Sequence, residues 1–154
     1  MKNFKQGLVI ASTLIFVATA SAADKKIARS ALPPAVEKTV AANSAGAEIK
    51  GFATEVENGK LQYEAQMVVN GRTKDLAIDK NGVLLEVEEE VAFDSLPDAV
   101  KKSLTARAGA GTVGKVESLT KKGKLVAYEA VVIKGGKKSE VQVGPAGEKL
   151  AHEE

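Results

Sequence analysis

Apolar positions along this chain keep two different periods, and the succession of those periods occurs twice in the same order. Leu32, Val36 and Val40 fall at i, i+4 and i+8, the stripe of a helix with one buried face, and Leu96, Val100 and Leu104 repeat the spacing. A proline follows each opening leucine, at Pro33 and Pro97, where a missing N–H costs nothing because the first helical turn has no partner for it. Each helix should stop at a glycine-containing turn, residues 43–46 in the first half and 109–111 in the second. The period then changes to two. Leu61, Tyr63, Ala65, Met67 and Val69 alternate with Lys60, Gln62, Glu64 and Gln66, and Val126, Tyr128, Ala130 and Val132 repeat that strand. A weaker strand precedes each, at 49–57 before the turn pair Asn58-Gly59 and at 113–120 before Lys122-Gly123. After Asn70-Gly71, Leu76 and Ile78 alternate with Asp75 and Asp79, and Asp79-Lys80-Asn81-Gly82 closes that strand. A fourth strand at 83–91 should turn Leu85 and Val87 inward and Glu86 and Glu88 towards water.

The letters themselves recur as well as the pattern. Leu32-Pro33-Pro34-Ala35-Val36 returns as Leu96-Pro97-Asp98-Ala99-Val100, and Tyr63-Glu64-Ala65 returns as Tyr128-Glu129-Ala130. Strands joined by two- to four-residue turns must run antiparallel, since parallel neighbours need a crossover of about a dozen residues or more. The expected fold is therefore α+β, with two tandem repeats at residues 32–91 and 92–154. Each repeat is one helix on a four-stranded antiparallel meander, and the two join into one compact body with a single buried interior. The link near residues 92–95 is too short for a flexible linker. A module of about 60 residues buries only about 60% of its unfolded surface, so the repeats should lean on each other within a monomer.

The first 22 residues read as a secretory signal peptide. Lys2 and Lys5 make the basic start, residues 7–20 the apolar stretch, and Ala20-Ser21-Ala22 the small-x-small site, with the mature chain starting at Ala23. That stretch is shorter than the roughly 20 residues a spanning helix needs. Residues 23–31 form an N-terminal tail, and the protein is expected in the periplasm or secreted, with no membrane association after cleavage. Removing the two signal lysines leaves basic and acidic groups in balance (22 − 2 = 20 against 20). The first half is acidic and the second basic, a difference that draws them together or presents a two-signed surface. Cysteine is absent, so stability rests on the core without a disulfide framework.

Reaction chemistry has little to work with. The single histidine, His152, lies near the C-terminal end, and there is no cysteine and no motif around any serine, so the chain reads as non-catalytic. Glu88, Glu89 and Glu90 are consecutive on a strand and alternate faces, so they do not converge on each other. Asp79, Asn81, Gly82 and Glu88 match part of a calcium-loop pattern, but Ala77 stands at its first position and strands flank it; hairpin chemistry explains the same residues, and no metal or cofactor site is assigned. Lys121, Lys122, Lys124, Lys134, Lys137 and Lys138 make the second half's turns basic without interleaved aromatic residues, which argues against nucleic acid. Tyr63 and Tyr128 share parity with the core positions and stand as the candidate partner-binding residues.

The helix opening Leu-Pro-x-Ala-Val, the strand Tyr-Glu-Ala and the passage Leu76-x-Ile78-Asp79-x-x-Gly82-x-Leu84-x-Glu86 resemble the PepSY-like family, whose tandem members resemble the beta-lactamase-inhibitor protein fold. The resemblance runs from about residue 32 to 154, and departs from pattern where Gly144-Pro145-Ala146-Gly147 replaces Asp79-Lys80-Asn81-Gly82. It implies an exported, non-catalytic binding module with a protein partner, an extracytoplasmic peptidase being the class often suggested. The alternative is a small-molecule or calcium-binding envelope protein, motivated by the acidic strand at 86–90.

Overall fold

Eight strands follow one another across a single antiparallel sheet in the order in which they occur in the chain. The computed structural model describes residues 25–57, 59–152 and 154; the expected signal peptide and Asn58 of the first turn pair lie outside them. β1 (Lys25–Ile27) leads through a 3-10 turn at Arg29–Ala31 into α1 (Pro34–Asn43), followed by β2 (Glu48–Glu57), β3 (Lys60–Val69), β4 (Arg72–Asp79) and β5 (Leu84–Val91). A second 3-10 turn at Phe93–Ser95 leads into α2 (Asp98–Ala108) and then β6 (Thr112–Lys121), β7 (Lys124–Lys134) and β8 (Lys137–Val143). Among the described residues no helix is long and apolar enough to cross a membrane.

Both helices begin where the prolines direct. Pro33 and Pro97 hold extended ψ values of 146° and 143° just before the first helical residue, so the cap is set by backbone geometry without a capping side chain. Gly109, at a φ of +57°, ends α2 in the conformation glycine adopts most freely.

Each helix then docks on the turn that follows a strand of its own half. A Cβ on Gly82 would lie 2.5 Å from the Ala35 carbonyl oxygen, and one on Gly147 would lie 2.5 Å from that of Ala99. These glycines let turn and helix backbones touch. The Thr39 hydroxyl donates to the Gly82 carbonyl and the Ser103 hydroxyl to the Gly147 carbonyl, each at 2.6 Å. The two turns reach the same contact with different residues: Asp79 accepts the Asn81 and Val83 N–H groups from in front, whereas Glu148 accepts the Ala146 N–H from behind.

Four expectations need correction. The 23–31 tail contains a strand, because Lys25–Ile27 finds the open edge of β2 and pairs there with Phe52, Ala53 and Thr54. The second half carries three strands after its helix where four were expected; beyond Val143 the chain turns back at Gly144–Gly147 and forms no further strand among the described residues. Two apolar clusters replace the single interior. Val36 and Val40 of α1 pack with Phe52, Ala65, Met67, Leu76 and Ile78, while Val100 and Leu104 of α2 pack with Val116, Ala130 and Val143. The physical reason is that the helices lie over different strands of one continuous sheet, so neither stripe reaches the other's floor. Finally, the register slips between Ala77 and Ile78, pairing Ile78 with Leu84; the slip puts Leu84, in place of Leu85, against the core.

Candidate functional site

The alternation that sends Tyr63, Ala65, Leu76, Ile78 and Val87 to the helices sends their neighbours to the opposite face, which no helix among the described residues covers. Register decides what meets there. Glu64 stands opposite Ala77, Ala77 opposite Glu86, and Asp75 opposite Glu88; β6 then sets Leu119 beside Glu88 and Glu117 beside Glu90. The small Ala77 side chain leaves a recess of about 90 Å³, walled by Glu55, Glu64, Asp75, Glu86 and Glu88. That volume suits a few waters or one small cationic group and falls well below the roughly 300 Å³ at which drug-sized ligands begin to fit.

Beside the recess, carboxylate oxygens of Asp75, Glu88 and Glu117 all lie within 4.8 Å of one another. They come from three successive strands that would be nearly 10 Å apart from first to third in a flat sheet, so long side chains and sheet twist bring them together. Glu117 is 6% exposed although no helix among the described residues lies over this face, so the side chains around it shield it. The Lys115 ammonium sits 2.7 Å from Glu117 and is the cation the cluster already holds. The Thr73 N–H donates to Glu90 at 3.1 Å, and its hydroxyl lies 3.2 Å from Glu90 and 3.3 Å from Glu117. At the flanks Lys121 pairs with Glu86 at 3.4 Å, Gln142 donates to Glu129 at 2.7 Å, and the Glu154 N–H donates to Gln142 at 2.8 Å. Gln62 donates to Glu57, and its side-chain oxygen, buried with the rest of that residue, has no hydrogen-bond partner.

Burial and crowding determine which carboxyls keep protons. Burial, reinforced by the charges of Glu86, Glu117, Glu129 and Asp75, pushes Glu88 up to about 8. Burial and then Glu64 and Glu117 raise Asp75 to about 6, with Lys115 opposing the shift. Glu86 is raised by burial too, against the pull of Lys121. Burial alone would lower the Lys115 ammonium; its hydrogen bond to Glu117 and the surrounding carboxylates outweigh that and hold it above the ordinary lysine range. One retained proton and one ammonium therefore cancel most of the charge of the three carboxyls, and the cluster stays net negative.

The other sequence candidates fall elsewhere. Tyr63 packs with the first core cluster and Tyr128 with the second, both on the helix side. His152 is exposed. The residues of the calcium-loop pattern separate: Asp79 accepts N–H groups of its own turn, which hold its carboxyl below the usual range, and Glu88 belongs to the cluster on the sheet. Expecting Glu86 and Glu88 on the water side missed their partial burial. Alternation within one strand predicts which face a carboxylate takes. It carries nothing about Glu117, which belongs to a strand on the far side of α2.

No family model matches the chain, and no curated protein sequence matches it either. Solved structures share its fold. A BLIP-like protein from Bacteroides fragilis is 25% identical with a TM-score of 0.55, over 78% of this chain and 83% of that one. A DUF2874 family protein from Bacteroides uniformis is 20% identical with a TM-score of 0.60, over 75% and 84% respectively. A protein from Bacteroides eggerthii assigned to the periplasm is 20% identical with a TM-score of 0.61, over 75% and 84%. The beta-lactamase-inhibitor-like fold that the sequence resemblance implies is thus the fold that the chain shares with known structures.

Proposed function

We propose that this chain is an exported, non-catalytic binding protein of the periplasm or extracellular space, and that it docks a protein partner on the helix-free face of its sheet. The observation that carries this reading is that face itself: among the described residues no helix lies over it, and its recess is walled by carboxylates with no cationic residue among its lining. Charge complementarity selects a partner surface bearing lysine or arginine, with electrostatics steering the encounter. The compartment is supported by the signal-like N-terminus and by the periplasmic assignment of the Bacteroides eggerthii structure. The absence of cysteine and the exposure of the sole histidine support a role without covalent or acid–base chemistry. An extracytoplasmic peptidase is the partner class implied by the PepSY-like resemblance. The matching Thr39–Gly82 and Ser103–Gly147 contacts support two copies of one helix-plus-meander unit, meeting near residue 92.

The test is retention from envelope extract on immobilised mature protein, alongside a Glu64→Lys variant checked by circular dichroism. A protein held reproducibly by the wild type, released by raised salt and lost on Glu64→Lys supports the reading. Empty eluates, or retention indifferent to charge reversal, overturn it.

A further inference from the structure

Where the first half of the sheet passes into the second, β4, β5 and β6 each contribute a carboxyl group to one cluster, those of Asp75, Glu88 and Glu117. Three carboxylates whose oxygens lie within 4.8 Å of one another cannot all ionise beside a single ammonium without strong repulsion, especially when Glu117 is shielded from water. Glu86 walls the same recess as Asp75 and Glu88 and adds a further carboxyl to that crowding.

No surrounding group removes that need. From β2 Glu57 faces Glu86, from β3 Glu64 faces Asp75, on β5 Glu86 faces Glu88 while Glu90 shares the Thr73 hydroxyl with Glu117, and from β7 Glu129 faces Glu88. Lys115 on β6 meets Glu117, and Lys121 is engaged by Glu86. Thr73 on β4 supplies neutral donors to Glu90 and Glu117.

We propose that this cluster is a proton-operated clasp: one proton on the Asp75, Glu86 and Glu88 carboxyls, together with Lys115, fastens β4, β5 and β6 to one another, and losing it loosens this seam while making the sheet face more negative. The clasp is independent of any partner. In the unfolded chain these carboxyls release their protons in the ordinary acidic range, whereas the folded cluster keeps one until about pH 8. The folded state therefore binds more protons than the unfolded one throughout that interval, and stability falls as pH rises. A single retained proton corresponds to a tenfold fall in the folding constant per pH unit.

The experiment is urea unfolding of the wild type and of Glu88→Gln between pH 6 and 9, with a carbon-13 side-chain carboxyl titration of Glu88 by NMR. Glutamine mimics the protonated acid and cannot ionise. The wild type should lose up to tenfold in folding constant per unit between pH 6 and 8, the variant should lose that slope, and the Glu88 carboxyl should titrate near pH 8. A Glu88 carboxyl that titrates in the ordinary glutamate range, or a slope that survives Glu88→Gln, overturns the proposal. Should Glu88→Gln fail to fold, the wild-type carboxyl titration decides by itself.

Discussion

Thr39 and Gly82 are 43 residues apart in the chain, yet the threonine hydroxyl donates to the glycine carbonyl at 2.6 Å. Ser103 makes the same 2.6 Å contact with Gly147. In both halves a hydroxyl on the helix secures a turn of the sheet, so α1 and α2 are positioned by a polar contact as well as by their apolar stripes.

Removing either hydroxyl should cost about 1 kcal/mol, the net worth of a partly buried hydrogen bond. Thr39→Val and Ser103→Ala should each lower the urea midpoint with an unchanged slope. Since the two contacts share no residue, the double variant should lose the sum to within about 0.5 kcal/mol.

The glycines in those turns should tolerate still less. At Gly82 and Gly147 the backbone lies at φ of +83° and +80°, and a methyl group would strike a helix carbonyl, so Gly82→Ala and Gly147→Ala should each destabilise by about 2–3 kcal/mol in the same assay. Gly135 also has positive φ, at +57°, but a Cβ there meets nothing within 4 Å. Gly135→Ala should cost about 1 kcal/mol, the conformational part alone.

Because the apolar interior is divided, damage should stay local. Leu76→Ala in the first cluster and Leu104→Ala in the second each empty a fully buried site and should cost about 2–5 kcal/mol. The side-chain NMR shifts of the opposite cluster should hardly move in either variant.

Lys115→Met should expose the electrostatics of the acidic face. Near pH 5 the Glu88 carboxyl is neutral and the loss is chiefly that of the Lys115–Glu117 pair; as pH approaches 8 Asp75 and Glu88 ionise without the ammonium as well, and the deficit against wild type should widen. Chemical denaturation at both pH values measures the difference, and the Glu88 titration midpoint should move upward.

Much of this architecture was legible in the order of residues. Leu32, Val36 and Val40 marked α1, the Leu-Pro pairs marked where both helices begin, and the alternation around Tyr63 and Tyr128 put both rings on the helix side. Those features depend on neighbours within one element. The cluster of Asp75, Glu88 and Glu117 depends on how β5 pairs with β6 across an intervening helix, and a period of two cannot fix that register. Leu84 escaped for a related reason: the slip at Ala77 and Ile78 shifts parity locally, and no residue type announces it. The division of the core was hidden too, because the stripes of α1 and α2 look alike whether they face each other or lie side by side.

The unbroken succession of strands bears on how the chain assembles. Every strand hydrogen-bonds to its neighbours in the sequence, so contact order is kept low for a β-rich protein and no strand waits for a remote strand to pair with. A polypeptide delivered from one end can zip up hairpin by hairpin behind the point of delivery, with each new strand capping the sticky margin left by its predecessor.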